Sequence, residues 1–237
     1  MSSSTLVLWD VDRTLLCVEQ TERSVYQDAF GEVVGRPAAR MPEPGTGRTT
    51  PVAVLEMMLA NDIPQGEAEQ LAQQMMDLMP VMLAARAEEL REHGQVMPGA
   101  RAALKAMHAT NDTFSTLVTG NLQSSARIKL QAVSLADLVD LGIGGYASDD
   151  PHRPALVAVA QQRAAAKHGG AFHRGNTVIT GDSLEDVRTG IEGGAFVIAV
   201  ASGASSGAAL LEAGADRVLP DLKDAARLVQ LVAELVG

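Results

Sequence analysis

The sequence predicts an α/β fold, a doubly wound parallel sheet with an inserted α-helical segment, and two observations carry that expectation. From about residue 95 onward, short apolar runs alternate with segments of helical period, the pattern of parallel strands joined by crossover helices. Between the first apolar run and that alternation lies a long stretch rich in Ala, Glu, Gln, Met and Leu, with helical spacing throughout.

The first run, Leu6-Val-Leu-Trp-Asp10-Val-Asp12-Arg-Thr14, reads as a short buried strand that stops at two carboxylates and a hydroxyl. Two aspartates brought to one loop repel each other unless a cation or a reaction compensates, so this strand end points to a metal-assisted site. Residues 18–93 follow as the insertion: a helix near 19–35, punctuation at Pro42, Pro44, Gly45 and Gly47, a helix near 50–62, and a third over 67–91 with a break before Pro80. Leu71, Met75, Leu78, Met79 and Met82 recur at helical spacing and read as core.

Further strands are expected at 114–118, 141–145, 177–180 and 195–200, with helices near 99–110, 123–134, 153–168 and 184–193. Val218-Leu219 adds a short edge strand before a final helix near 221–236. The expected division is therefore a split catalytic core, residues 1–17 with 94–237, and a helical cap, residues 18–93.

Composition narrows the function. A chain of 237 residues can bury one sizeable core plus a smaller accessory unit. Aromatic residues are only 3%, so that core is built from Ala, Leu, Val and Met. A net charge of −10 argues against a nucleic-acid partner, which demands clustered cations, and favours a small-molecule substrate met by local positive charge. The single Cys17 excludes an intramolecular disulfide and reads as a small core filler. The Met-Ser-Ser-Ser start lacks the regions of a signal peptide, and no apolar stretch suits a bilayer, so no membrane partner is expected and cytoplasmic residence is the default. Oligomeric state is left open.

Two later runs also end in polar groups, one at Thr119-Gly120-Asn121 and one at Gly181-Asp182 with Asp186 close behind. Ligands of open parallel sheets sit at the carboxyl ends of strands, so the three ends are expected to meet in one crevice. Each has a plainer reading. Thr-Gly-Asn suits any strand-ending turn, and Asp182 and Asp186 could be a helix N-cap and a first-turn acid.

Taken in order, Asp10-Val-Asp12-Arg-Thr14, Thr119-Gly120-Asn121, Arg153-Pro154 and Gly181-Asp182 with Asp186 resemble the four motifs of the haloacid dehalogenase superfamily, most of whose members are Mg²⁺-dependent phosphatases. Met97-Pro98-Gly99-Ala100 resembles the segment by which such chains return to the core after a cap, so the resemblance spans nearly the whole sequence. One departure is Arg13, where many relatives have glycine.

The resemblance implies a Rossmann-like core and an aspartyl-phosphate mechanism. Asp10 is the expected nucleophile, since an ionised carboxylate can attack phosphorus and split one hydrolysis into two displacements. Asp12 is the expected acid and base, with its backbone carbonyl on the metal. Asp10, Asp12, Asp182 and Asp186 form the implied Mg²⁺ site, Asp186 either directly or one layer out. Thr119 and the amides of Gly120 and Asn121 are the expected phosphate receivers.

For the stabilising cation, Arg153 is favoured over Lys129, because a guanidinium clamps a phosphoryl group bidentately and a lysine inside the helix after Asn121 is ordinarily solvated. Gly45-Thr-Gly47-Arg48-Thr49 resembles the loop with which capped relatives inspect substrate; Arg48 is either a partner for a second anionic group or a solvated arginine beside a helix start. Trp9 reads as packing, and His152 is the one histidine expected near the site.

The leading expectation is a phosphatase acting on a small phosphorylated metabolite, similar in organisation to phosphoglycolate phosphatases. The alternatives are a phosphomutase of the same superfamily and a non-catalytic binding protein on this fold. A dehalogenase has no need of Asp12, and a phosphonatase would want a cap lysine, which residues 19–94 lack.

Overall fold

The structure, a computed structural model, describes residues 4–237; the first three residues of the start segment lie outside that range. A six-stranded sheet runs in the order Gly145–Tyr146 (β5), Thr113–Thr119 (β4), Thr5–Trp9 (β1), Thr177–Gly181 (β6), Phe196–Val200 (β7) and Arg217–Leu219 (β8). All its pairings are parallel. Strand β1 is central, with Trp9 in register with Leu117 on one side and Thr180 on the other.

Side chains on a strand alternate between faces, and β1 divides the core accordingly. Val7 and Trp9 pack with helices α5 (Ala100–His108), α6 (Gln123–Ala132) and α10 (Ala225–Val236). Leu6 and Leu8 face α7 (Ala155–His168), α8 (Leu184–Gly193) and α9 (Gly207–Glu212). With both faces covered, the strands read as unbroken apolar runs, which is why the sequence marks them so clearly.

The helical insert leaves and returns through an antiparallel ribbon, β2 (Leu16–Cys17) against β3 (Gln95–Val96). Between them lie α1 (Glu19–Val34), α2 (Thr50–Ala60), α3 (Gln65–Ala85) and α4 (Ala87–His93). Helices α1 and α2 both pack on α3, and α3 leans on α6 of the core.

Two expected boundaries are corrected. Helix α3 continues through Pro80 and ends at Arg86, whose Nη1 donates to the Met82 carbonyl at 3.0 Å while its guanidinium pairs with Asp28 on α1. The arginine takes a terminal carbonyl and fixes the turn into α4. The strand expected over 141–145 is only Gly145–Tyr146. Asp140 Oδ1 accepts the Gly142 N–H at 3.0 Å, so local side-chain bonding turns the chain where apolar content alone suggested extension. Helix α9 and the ribbon were not expected from the sequence. Among the described residues, no helix is long and apolar enough to cross a membrane.

Candidate active site

Strands β4, β1 and β6 are neighbours, so their carboxyl ends open onto one place. Asp10 stands just past β1, with its N–H bonded to the Thr180 carbonyl at 2.9 Å and its side chain buried. The Thr14 hydroxyl donates to Asp182 Oδ1 at 3.0 Å and lies 3.4 Å from Asp10 Oδ2, linking the ends of two strands.

Asp182 and Asp186 come from the β6–α8 turn. Ser183, rather than Asp182, is the N-cap: its Oγ accepts the Asp186 N–H, and Asp186 Oδ2 accepts the Ser183 N–H at 2.9 Å, a reciprocal capping box. The plainer reading of Asp182 as the cap is thereby overturned. Asp186 is a first-turn acid as well as a site residue, because its Oδ1 faces Arg153.

Carboxylate oxygens of Asp10, Asp182 and Asp186 all lie within 4.8 Å of one another, and all three residues are buried. Burial, followed by repulsion from Asp186, holds the Asp10 carboxyl well above its ordinary range despite Arg153. The same two causes push Asp182 up to about 7. Three buried carboxylates converging within that distance offer hard oxygen donors, a set suited to a hard divalent cation. The approach is close: a Cβ at Gly203 would lie 1.7 Å from Asp182 Oδ2.

Arg153, immediately before Pro154 and α7, is the cation of this cluster and is itself buried. Its Nη2 donates to both Asp10 and Asp186, and its Nη1 to the Gly47 carbonyl in the insert. Burial alone would lower the guanidinium, but Asp186 and Asp10 outweigh it and raise it further. Among the described residues its Nε has no partner, a buried donor left over at a site lined with acceptors.

Asp12 stands apart from the three carboxylates. Both its oxygens lie 2.9 Å from Lys129 Nζ, and Oδ2 also accepts from Asn121 Nδ2 at 2.7 Å. Lys129 is the largest departure from expectation: it is not a solvated helix lysine but fully buried, and Nζ also donates to Glu22 Oε1 on α1 at 2.9 Å and to Asn121 Oδ1 at 2.7 Å. Burial alone would lower the ammonium; Asp12 and Glu22 raise it. Lys129 and Glu22 were missed as a pair, though one signal was legible: Lys129 lies on the Ala126, Leu130, Val133 stripe, the core-facing side of α6.

Thr119 is buried at the end of β4, and its Oγ1 accepts from Asn121 Nδ2 at 2.8 Å. The Gly120 carbonyl accepts from Thr50 N at 2.7 Å and Thr50 Oγ1 at 3.0 Å, so this loop is bonded to the start of α2. Arg13 adopts φ 64°, the left-handed region that glycine enters without steric cost, and its guanidinium pairs with Glu19. Arg48 lines the cleft while pairing with Glu56 on α2. His152 is corrected: it is exposed, 3.9 Å from Glu192, and does not line the cleft. Cys17 is half-buried, and Trp9 is fully buried with Nε1 3.4 Å from Ser115 Oγ. The cleft between sheet and insert holds about 160 Å³.

A family model described as haloacid dehalogenase-like hydrolase matches residues 7–190. The chain belongs to that family. No curated protein matches it in sequence. Among solved structures, this haloacid dehalogenase-like hydrolase is similar to a predicted phosphatase from Clostridium acetobutylicum, with 16% identity, TM-score 0.72, and 99% of this chain and 100% of that one covered. It is also similar to a candidate phosphoglycolate phosphatase from Lactobacillus plantarum (15% identity, TM-score 0.66, 97% and 100% covered). A candidate β-phosphoglucomutase from Bacteroides vulgatus is a third (17% identity, TM-score 0.65, 99% and 91% covered). At these identities the likeness establishes the shared fold of the hydrolase.

Proposed function

We propose that this hydrolase is a Mg²⁺-dependent phosphatase that cleaves a small phosphorylated metabolite through an aspartyl-phosphate on Asp10, with residues 1–17 and 94–237 as its catalytic core and 18–93 as its cap. The observation that carries the reading is the Asp10, Asp182, Asp186 cluster, with Arg153 bridging two of its members. Asp10, Asp182, the Asp12 carbonyl and, directly or one layer out, Asp186 would hold Mg²⁺. When bound, the ion neutralises charge between the phosphoryl oxygens and the carboxylates.

The chain's own groups divide the work. Asp10 attacks phosphorus as the ester P–O bond breaks, and Asp12 gives the leaving oxygen its proton. Water then attacks the phosphoryl group, its proton passes to Asp12, and the electron pair of the breaking P–O bond returns to Asp10. Thr119, Gly120 and Asn121 receive equatorial oxygens, with Arg153 supplying positive charge beside them. Arg48, at the cleft wall, meets a second anionic group of the substrate. A cleft of about 160 Å³ suits a small ester. The Asp12 side chain keeps 35% exposure, so water can reach the base, as hydrolysis requires.

The test is phosphate release from a panel of small phosphomonoesters, with Mg²⁺ and with chelator. Release is expected only with the metal, and Asp10→Asn should abolish it while the fold persists. An Asp10→Asn protein that keeps a tenth of the rate would sink the covalent mechanism. Return of the phosphoryl group to a second site of the substrate, without release, would favour the mutase.

A further inference from the structure

The Lys129 slot is built from three separate parts of the molecule. Its ammonium, carried on α6, bonds Asp12 from the loop after β1, Asn121 from the loop after β4 and Glu22 from α1 of the insert. A fully buried ammonium is strongly disfavoured unless its partners compensate, and here every acceptor belongs to the cleft or to the helix that roofs it. The consequence falls on Asp12. Two residues from Asp10, its carboxylate would otherwise be free to swing towards the cation site; Lys129 holds both its oxygens, and Asn121 holds one of them a second time.

We propose that Lys129 is the positioning residue for Asp12 in the second half-reaction, setting the carboxylate to take the proton of the water that breaks the phosphoenzyme, with Glu22 tying that setting to the seated insert. The proposal rests on the phosphatase reading above. In this step the water oxygen bonds phosphorus, the Asp10 Oδ–P bond breaks with its electron pair returning to Asp10, and the proton passes to the held oxygen of Asp12. Lys129 touches neither phosphorus nor water. Its effect is carried by Asp12, directly and through the Asn121 side chain that it bonds and that in turn holds Asp12.

An aryl phosphate with a good leaving group isolates this half-reaction, because transfer to Asp10 then needs little protonation. With Lys129→Met, rapid-quench measurements are expected to show phosphoenzyme forming at near the wild-type rate and decaying about 100-fold more slowly, the loss typical of a misplaced reacting group. KM should not rise, since no substrate contact is lost. In the Asp12→Asn background the same substitution should cost almost nothing further, a non-additivity that a purely structural lysine would not produce.

Removing Lys129 alone leaves Asp12 and Glu22 facing each other, so the comparison is repeated with Lys129→Met/Glu22→Gln, which removes one cation and one anion together. Formation and decay slowed by the same factor, or decay unchanged, overturns the proposal. A wild-type protein that neither turns over nor forms phosphoenzyme overturns the phosphatase reading instead, which separates the two failures.

Discussion

One guanidinium holds the centre of the site together. Arg153 answers Asp10, Asp186 and the Gly47 carbonyl at once, and no lysine can present that fork from a single point charge. Arg153→Ala should lower kcat about 100-fold, the usual scale for removing one pre-organised charge contact of about 3 kcal/mol. Arg153→Lys should recover thermal stability but little of the rate; full recovery of kcat would show that charge suffices and the fork does not matter. At this scale Asp10, Asp12, Thr119 and Asp182 were legible because each closes an apolar run, and three such runs in one chain outweigh the plainer turn and cap readings that each has alone. Lys129 was not, since a lysine in a helix says nothing of which side that helix turns inward. Its position on the stripe with Ala126 and Leu130 was the one local sign, and the two carboxylates that make its burial tolerable come from residues far off in sequence.

Among the elements, α8 joins stability to chemistry in its first turn. Ser183 caps the helix and, in the same box, fixes the Asp186 carboxylate, leaving Oδ1 for Arg153. Ser183→Ala should cost about 1 kcal/mol of stability as a lost N-cap. It should also raise the Mg²⁺ concentration needed for half-maximal activity, because Asp186 gains freedom; denaturant unfolding and a metal titration read the two effects separately. A stability loss with an unchanged metal requirement would make the box a helix cap only. Most elements of the sheet-bearing region were readable, since buried parallel strands are apolar on both faces and helices between them keep their period. The two corrected boundaries, one here and one in the insert, share a cause in side-chain bonding to the backbone. Asp140 turns the chain that was read as strand, and Arg86 ends the helix that was expected to break at Pro80.

Across the whole molecule, the strand order places three carboxyl ends side by side, and the result is a concentration of buried negative charge in a chain already at −10. Folding without a cation therefore works against that cluster, and the pH dependence should reveal it. Burial and Asp186 push the Asp182 carboxyl up to about 7, from an ordinary value of 3.8. Between those values the folded metal-free protein holds a proton that the unfolded chain has released, so this group's contribution to stability falls as pH rises from about 4 to about 7. Mg²⁺ competes for the same oxygens, and above that range it displaces no proton from Asp182. The rise in Tm on adding Mg²⁺ should accordingly be small near pH 5.5, large near pH 8, and mostly lost in Asp182→Asn. Thermal scans with Mg²⁺ and with chelator at the two pH values decide it: a Mg²⁺ effect of equal size at both would mean that Asp182 is already ionised throughout, and that Arg153 alone suffices to neutralise the cluster.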